Sequence, residues 1–290
     1  MVKMDDADVK EGFADFALSL KKEDEGMAKR KVTASAPGFS SGDVPLQPMA
    51  LVLYAVPGWG KTSTAAYATN PAILMAEKEQ GYLTLLGAGR VPDVPRATVS
   101  GWRELMCQIE EVAEADDPPC NILALDVLGA FESYCHEYVC RSKFNGDWSK
   151  FIAYRKGYRE AANTAWDELF SALDRVKANG VHVLMLSHHK VQKTRDPMTE
   201  EYAVSAPKVQ KESADRVVEW ADAVLFGTYS INTEDGKAEG GSQRLLYCKN
   251  HAAHVAKNRF GMPEMIRVPE DPSQNWQVIR DAIKEGTQNE

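Results

Sequence analysis

The sequence lacks the cysteine pairs that a disulfide framework or a zinc site would need. Its 290 residues include 5 cysteines, an odd number. None of them forms a C-x-x-C pair. A disulfide-stabilised secreted protein and a zinc-ribbon protein are therefore not expected, and the reducing cytoplasm fits this cysteine usage best.

Long apolar runs are also lacking. No segment approaches the roughly 20 apolar residues of a membrane-spanning helix. The opening segment, MVKMDDADVKEG, is acidic and has neither the basic nor the apolar region of a signal peptide. We therefore expect a cytoplasmic protein that has no membrane partner.

An excess of positive charge is missing as well. Lysine and arginine total 34 against 42 aspartates and glutamates, which gives a formal net charge of −8. Proteins that bind nucleic acid are more often basic, so such binding would here depend on a local basic segment. Hydrophobic residues make up 44% of the chain, enough for the core of a globular domain.

Composition divides the chain into an arm, a core and a tail. Residues 1–47 mix charges of both signs, yet Phe13 and Phe16 begin an apolar series at helical spacing. We interpret this region as a short amphipathic helix followed by a linker, and it serves either as a solvated tail or as an arm that docks on a neighbouring subunit. Residues 48–270 form the predicted core, and residues 271–290 a C-terminal helix and tail.

The core alternates short apolar runs with helical patterns. This alternation predicts an α/β domain in which helices flank a largely parallel central sheet. The polar residues 231–242 are interpreted as a turn or a mobile hairpin tip. The predicted strands are 50–55, 72–76, 96–99, 121–126, 181–187, 222–228 and 243–249, and the predicted helices are 61–68, 101–115, 150–179 and 209–220.

The segment between the first strand and the first helix has the pattern of a phosphate-binding loop. It reads AVPGWGKT from Ala55 to Thr62, with Ala55 in place of the usual first glycine. Backbone N–H groups of such a loop hold phosphates at a helix N-terminus, the lysine reaches the β- and γ-phosphates, and the hydroxyl binds Mg²⁺. We therefore predict ATP and Mg²⁺ as cofactors. The predicted contact residues are Val56, Pro57, Gly58, Trp59, Gly60, Lys61, Thr62 and Ser63.

The ring of Trp59 has three possible roles at this stage. It covers the nucleotide, faces a partner, or packs within the domain, and we favour packing or exposure over a contact with the nucleotide.

An aspartate completes the expected magnesium site. The apolar strand NILALD ends at Asp126, which is the Walker B pattern. Buried strands often end in aspartate, and a helix-capping role for Asp126 is the alternative. The upstream phosphate loop favours a role for this carboxylate at Mg²⁺, through a water molecule.

Hydrolysis needs a further carboxylate that orients or deprotonates water. Glu77 and Glu79 both follow the second strand, whose end lies beside the phosphate loop in a parallel sheet. We prefer Glu79 because Gly81 follows it in a turn. Glu77 remains the alternative, and a solvated turn remains the simpler interpretation of either residue.

Polar residues also end the strand at 181–187. Ser187 and His188 are the candidates to sense the γ-phosphate. His188 and His189 could suggest a metal site, but neighbouring residues on a strand point in opposite directions. The loop at about 189–209 carries Lys190, Lys193, Arg195 and Lys208, and it is either a nucleic-acid contact or a solvated surface loop.

Near the end of the core, the motif Lys257-Asn258-Arg259-Phe260-Gly261 resembles the K-N-R-F-G motif of RadA-type, RecA-like ATPases. The order of the motifs over about residues 48–270 is similar to the RecA-like core throughout. The small size and the Ser-His strand ending look most like phage-encoded RecA-like ATPases used in recombination and single-strand annealing. Such an origin would make the host cytoplasm the location.

The resemblance implies a RecA-like P-loop core and an oligomeric ATPase, a ring or filament with nucleotide between subunits. In that family, residues that match Lys257 and Arg259 reach the neighbour's triphosphate, so both are expected to act in catalysis beside Lys61 and Glu79. The implied partner is single-stranded DNA, and additional partners would be a single-strand DNA-binding protein or other recombination factors. The alternatives are a nucleotide-gated switch that needs no DNA and a P-loop nucleotide kinase.

Overall fold

The computed structural model describes residues 46–194, 200–234 and 237–288. The predicted arm helix around Phe13 and Phe16 lies outside these residues, and so does Arg195 of the predicted basic loop. None of the helices in the described part of the chain combines the length and the apolar character needed to cross a bilayer.

One sheet forms the centre of the domain. Its strand order is β10-β8-β7-β1-β5-β4-β2-β3, and the run from β7 to β3 is parallel throughout. The predicted largely parallel α/β architecture is therefore confirmed. The strands are β1 (Ala50–Ala55), β2 (Pro71–Ala76), β3 (Arg96–Val99), β4 (Ile122–Asp126), β5 (His182–Thr194), β6 (Tyr202–Pro207), β7 (Ala223–Glu234), β8 (Lys237–Tyr247), β9 (Lys257–Asn258) and β10 (Met265–Val268).

Helices cover both faces of this sheet, so the parallel segments of its central strands are mostly apolar. Every residue of β1 is buried, as expected for a parallel strand with both faces covered. One apolar layer includes Phe131 and Trp166, and the other includes Trp59 and Trp276. The helices are α1 (Lys61–Ala66), α2 (Gly81–Gly87), α3 (Trp102–Glu114), α4 (Leu128–Phe144), α5 (Trp148–Ile152), α6 (Lys156–Asn163), α7 (Ala165–Ala178), α8 (Lys211–Trp220) and α9 (Asn275–Gln288).

The helical region after β4 differs from the prediction. The single long helix expected at 150–179 is divided into α5, a 3₁₀ turn, α6 and α7. Tyr154 and Arg155 have φ angles of 51° and 59°, which no α-helix can contain. Helix α4 was not predicted at all, because its buried face includes Glu132 and His136 and the apolar periodicity is interrupted there.

Two β-hairpins occupy the regions 189–209 and 231–242. Strand β5 continues to Thr194 and pairs antiparallel with β6, so much of the predicted loop at 189–209 is a β-hairpin. The predicted turn or hairpin tip at 231–242 is the distal part of the β7–β8 hairpin, where β7 extends to Glu234 and β8 begins at Lys237. Pairing with a partner strand stabilises these extensions, and a pattern read along one strand does not reveal that partner.

Candidate nucleotide site

The phosphate loop lies at the carboxyl edge of the parallel strands, between β1 and α1. Gly58 and Gly60 have φ angles of 77° and 104°, a left-handed conformation that glycine adopts without strain. Helix α1 begins at Lys61, directly after the loop. The loop and the first turn of α1 therefore offer the unpaired N–H groups that bind anions at helix N-termini.

Three side chains meet at the floor of the site. The Lys61 ammonium donates to the carbonyl of Ala55 at 3.1 Å, and the Thr62 hydroxyl donates to Asp126 Oδ2 at 3.0 Å. Lys61 and Asp126 are both buried. The sequence-predicted residues Lys61, Thr62 and Asp126 are thus neighbours.

Burial controls the charges at this floor. Desolvation lowers the pKa of Lys61, while the charges of Asp126 and Glu79 raise it. Desolvation raises the pKa of Asp126 to about 6, although the hydrogen bond from Thr62 works in the opposite direction. A buried carboxylate with so little compensation is a favourable partner for a cation.

These residues fit Mg²⁺. The ion prefers oxygen ligands and keeps several of its waters, so it needs only one or two protein oxygens beside a phosphate. The Thr62 hydroxyl and the Asp126 carboxylate supply such oxygens on adjacent positions, and they touch each other at 3.0 Å. Thr62 would hold the ion directly, and Asp126 would hold it through water.

The two candidate catalytic glutamates have different surroundings. Glu79 lines the pocket that contains the phosphate loop, and its Oε1 lies 3.5 Å from His188 Nε2. Glu77 is exposed, and its N–H donates to the carbonyl of Val99. Of the two, Glu79 is the one that shares a cavity with Lys61.

That cavity has a volume of about 340 Å³. Two of its walls were not anticipated from the sequence. One contains Tyr67 and Arg90, and the other is the turn from Asp271 to Ser273. Tyr67 follows Ser63 by four residues, so helical spacing from the loop could have revealed it. The distant turn had no such signal.

The Trp59 ring packs inside the domain. Its side chain is fully buried, and its indole N–H donates to the carbonyl of Leu245 at 3.1 Å. Of the three roles considered for this ring, packing is the one that the structure shows.

The strand-ending residues Ser187 and His188 also differ. Ser187 is fully buried, and its hydroxyl donates to the His188 carbonyl and accepts from the Lys208 N–H, each at 3.1 Å. His188 lines the pocket and contacts Glu79. The position of Ser187 suits the support of the strand end, and that of His188 suits contact with a ligand.

The neighbouring His189 bonds elsewhere. Its Nε2 lies 3.1 Å from the hydroxyl of Ser205. Within the described ranges, no three His, Cys, Asp or Glu side chains gather into a group that could hold a metal.

Lys257 and Arg259 lie near the amino ends of the parallel strands. The phosphate loop of their own chain lies at the carboxyl ends of these strands, on the opposite side of the sheet. Strand β9 pairs with the first residues of β7, at Ala223 and Val224, whereas the loop follows the last residue of β1. The Lys257 ammonium donates to the carbonyls that end α8, Val218 at 2.8 Å and Glu219 at 2.7 Å. Arg259 pairs with Asp222 at 3.1 Å.

Taken together, the loop, the buried lysine and the strand-ending aspartate have the arrangement typical of a P-loop domain. A match to a protein-family model identifies the family of the chain. Residues 47–260 match the family AAA_24, described as an AAA domain, and the chain belongs to this family.

The similarity of the chain to solved structures is weaker. Among solved structures the chain is similar to one titled "Crystal structure of the RadB recombinase", with a TM-score of 0.42 and 14% sequence identity. The match covers 78% of this chain and 90% of that chain. No curated protein matches the sequence.

Proposed function

We propose that the protein is a Mg²⁺-dependent ATP hydrolase. The observation that carries this proposal is the meeting of Lys61, Thr62 and Asp126 on one side of a cavity of about 340 Å³ that Glu79 also lines. Binding alone needs only the loop, whereas hydrolysis also needs a carboxylate near the γ-phosphate.

Each group has a distinct task in this mechanism. The loop N–H groups and Lys61 hold the phosphate oxygens, and Lys61 must leave the Ala55 carbonyl to do so. Mg²⁺, when bound, supplies charge neutralisation at the phosphates. Glu79 orients the attacking water and accepts its proton. Because Glu79 contacts His188, a change at His188 would alter the direction of this carboxylate.

We further propose that the active form is an oligomer in which Lys257 and Arg259 of one subunit serve the triphosphate held by the next. Their position at the far edge of the sheet supports this arrangement, since they cannot reach the loop of their own chain. Arg259 would exchange its exposed pairing with Asp222, a contact of little stabilising value, for the phosphates.

Mixing two inactive variants tests the shared site. Arg259→Ala protomers keep an intact loop, and Lys61→Ala protomers keep an intact Arg259. The mixture should regain part of the wild-type ATPase rate, because some interfaces combine both intact halves. A mixture that stays as inactive as its components at every ratio would exclude the trans role.

Single-stranded DNA is the proposed effector of hydrolysis. A second cavity, of about 520 Å³, shares Glu79 and His188 with the nucleotide pocket, and its lining includes Lys78, Lys190 and Lys208 beside Glu132. Three lysines suit a phosphodiester backbone. A polyanion bound there would contact the same Glu79–His188 pair that faces the nucleotide.

The decisive assay is the ATPase rate with and without single-stranded DNA, at low salt and with Mg²⁺. Stimulation by DNA is expected, and it should fall steeply as salt is added. Turnover that DNA does not change, together with no DNA binding at low salt, would favour the DNA-independent switch. Transfer of phosphate to a nucleoside monophosphate would instead identify a kinase.

A further inference from the structure

Three hydrogen bonds tie the phosphate loop to the β7–β8 hairpin. The Tyr229 hydroxyl donates to the carbonyl of Gly58 at 3.0 Å. The Arg244 guanidinium donates to the carbonyl of Trp59. In return, the Trp59 indole donates to the carbonyl of Leu245 at 3.1 Å. Side chains of the β7–β8 hairpin and of the loop itself therefore hold the loop in place, in addition to its backbone hydrogen bonds.

This arrangement requires Trp59 to cross a strand. Strand β7 lies between β1 and β8 in the sheet, so the indole must pass over β7 to reach Leu245. It does so at Gly227, where a Cβ atom would lie 2.5 Å from Trp59 Cδ2. Only glycine at this position leaves room for the ring.

Arg244 is an unusual partner for a backbone carbonyl. It is 4% exposed, its guanidinium lies 4.8 Å from the centre of the Trp59 ring, and burial lowers its pKa. The charge of Asp271 raises that pKa in part, but among the described residues no carboxylate forms an ion pair with Arg244. Burying a cation without a paired anion is costly.

The same guanidinium reaches the opposite wall of the nucleotide pocket. It donates to the carbonyl of Pro269 at 2.6 Å, just before the Asp271–Ser273 turn that lines the cavity. Its Nη2 atom would lie 3.0 Å from a Cβ placed on Gly60. A positive charge is thus packed directly against the loop that is expected to hold phosphates.

We propose that Arg244 is a positioning residue for the phosphate site, an inference that rests on the proposed nucleotide function. A trans peptide directs its C=O and its N–H to opposite sides. By holding the Trp59 carbonyl, Arg244 turns the Gly60 N–H away from itself and towards the pocket that Gly60 lines. Bound phosphate then accepts from an oriented amide and compensates the buried charge.

The test uses the full chain and two phosphate probes, ADP and inorganic pyrophosphate, with dissociation constants from calorimetry. Arg244→Met should weaken both by the same factor, about tenfold to a hundredfold, the loss expected for a hydrogen bond to a charged group. Arg244→Lys keeps the charge and a donor and should restore part of the affinity. Arg267→Met, at an exposed arginine on the adjacent strand β10, is the matched control.

A spectroscopic readout separates positioning from general stability. In protein labelled with ¹⁵N-glycine, pyrophosphate should move the Gly60 amide signal downfield, and this shift should shrink in Arg244→Met. Wild-type binding combined with unchanged affinity and an unchanged Gly60 shift in Arg244→Met would overturn the proposal. If Arg244→Met does not fold, Arg244→Gln takes its place, since it removes the charge, and wild-type affinity with a wild-type Gly60 shift in that variant would overturn the proposal. Absence of binding in the wild-type chain would refute the nucleotide function itself.

Discussion

Replacing the buried Asp126 by asparagine should stabilise the ligand-free protein while abolishing its activity. Burial raises the pKa of Asp126 from 3.8 to about 6. In the unfolded chain the carboxyl ionises near its ordinary pKa, so folding at neutral pH places a charge where a neutral group is preferred. The two pKa values correspond to a destabilisation of about 3 kcal/mol at pH 7.

Asparagine removes this charge but keeps a partner for Thr62. The raised pKa already includes the attraction of Lys61, but an amide replaces the carboxyl group imperfectly beside Thr62, so we expect a net stabilisation of about 1 to 3 kcal/mol. For a domain of this size each kcal/mol raises the melting temperature by about 3 °C. ATP turnover should disappear, because the magnesium shell loses its carboxylate.

The pH dependence gives the sharper measurement. Below pH 3.8 the carboxyl is protonated in both states and contributes nothing; as the pH rises to about 6 the unfolded chain loses its proton while the folded chain retains it. The advantage of Asp126→Asn should therefore grow between these pH values and remain constant above. Urea unfolding in EDTA at several pH values measures it. A variant that is less stable than the wild type at pH 7 would refute the reasoning.

Further predictions concern the loop and the catalytic carboxylate. Lys61→Ala should abolish turnover, and normal turnover in a rate assay would contradict the assignment of the loop. Glu79→Gln should preserve ATP binding but slow single-turnover hydrolysis about a hundredfold or more, whereas Glu77→Gln should leave both unchanged; the reverse result would exchange their roles. Gly227→Ala should lower the free energy of unfolding by about 1 to 3 kcal/mol, the usual effect of overpacking. Denaturant titration measures this change, and an unchanged free energy of unfolding would contradict the close contact between Gly227 and the Trp59 ring.

Much of the fold could be predicted because most of its parallel strands contain a continuous apolar run. The runs that end at Ala55 and Asp126 are buried on both faces, so local composition and final position agree. Helix α4 could not be predicted, since it buries Glu132, whose carboxylate accepts from the N–H of Gln210, 78 residues away in sequence. A local pattern carries no sign of such a distant donor.

The candidate site likewise contains residues that could be predicted from the sequence and residues that could not. Lys61, Thr62 and Asp126 follow from spacing because each stands at the end of a strand or the start of a helix, and the sheet brings those ends together. The turn from Asp271 to Ser273 reaches the site through the tertiary packing of α9 on α1, where Asn275 donates to the Thr64 hydroxyl at 2.8 Å. The role of Arg244 could not be predicted for the same reason, because the carbonyl that it binds is 185 residues away in sequence.

The separation of the phosphate loop and the Lys257–Arg259 pair on opposite edges of the sheet has a consequence for assembly. If sites are shared as proposed, the contact joins unlike surfaces, and such a contact either closes into a ring or continues without limit. An open chain of subunits always has one idle nucleotide site at its end, while a closed ring has none. The ATPase rate per subunit should then rise with the length of a filament but jump to its full value when a ring closes, so turnover itself reports the geometry of the assembly.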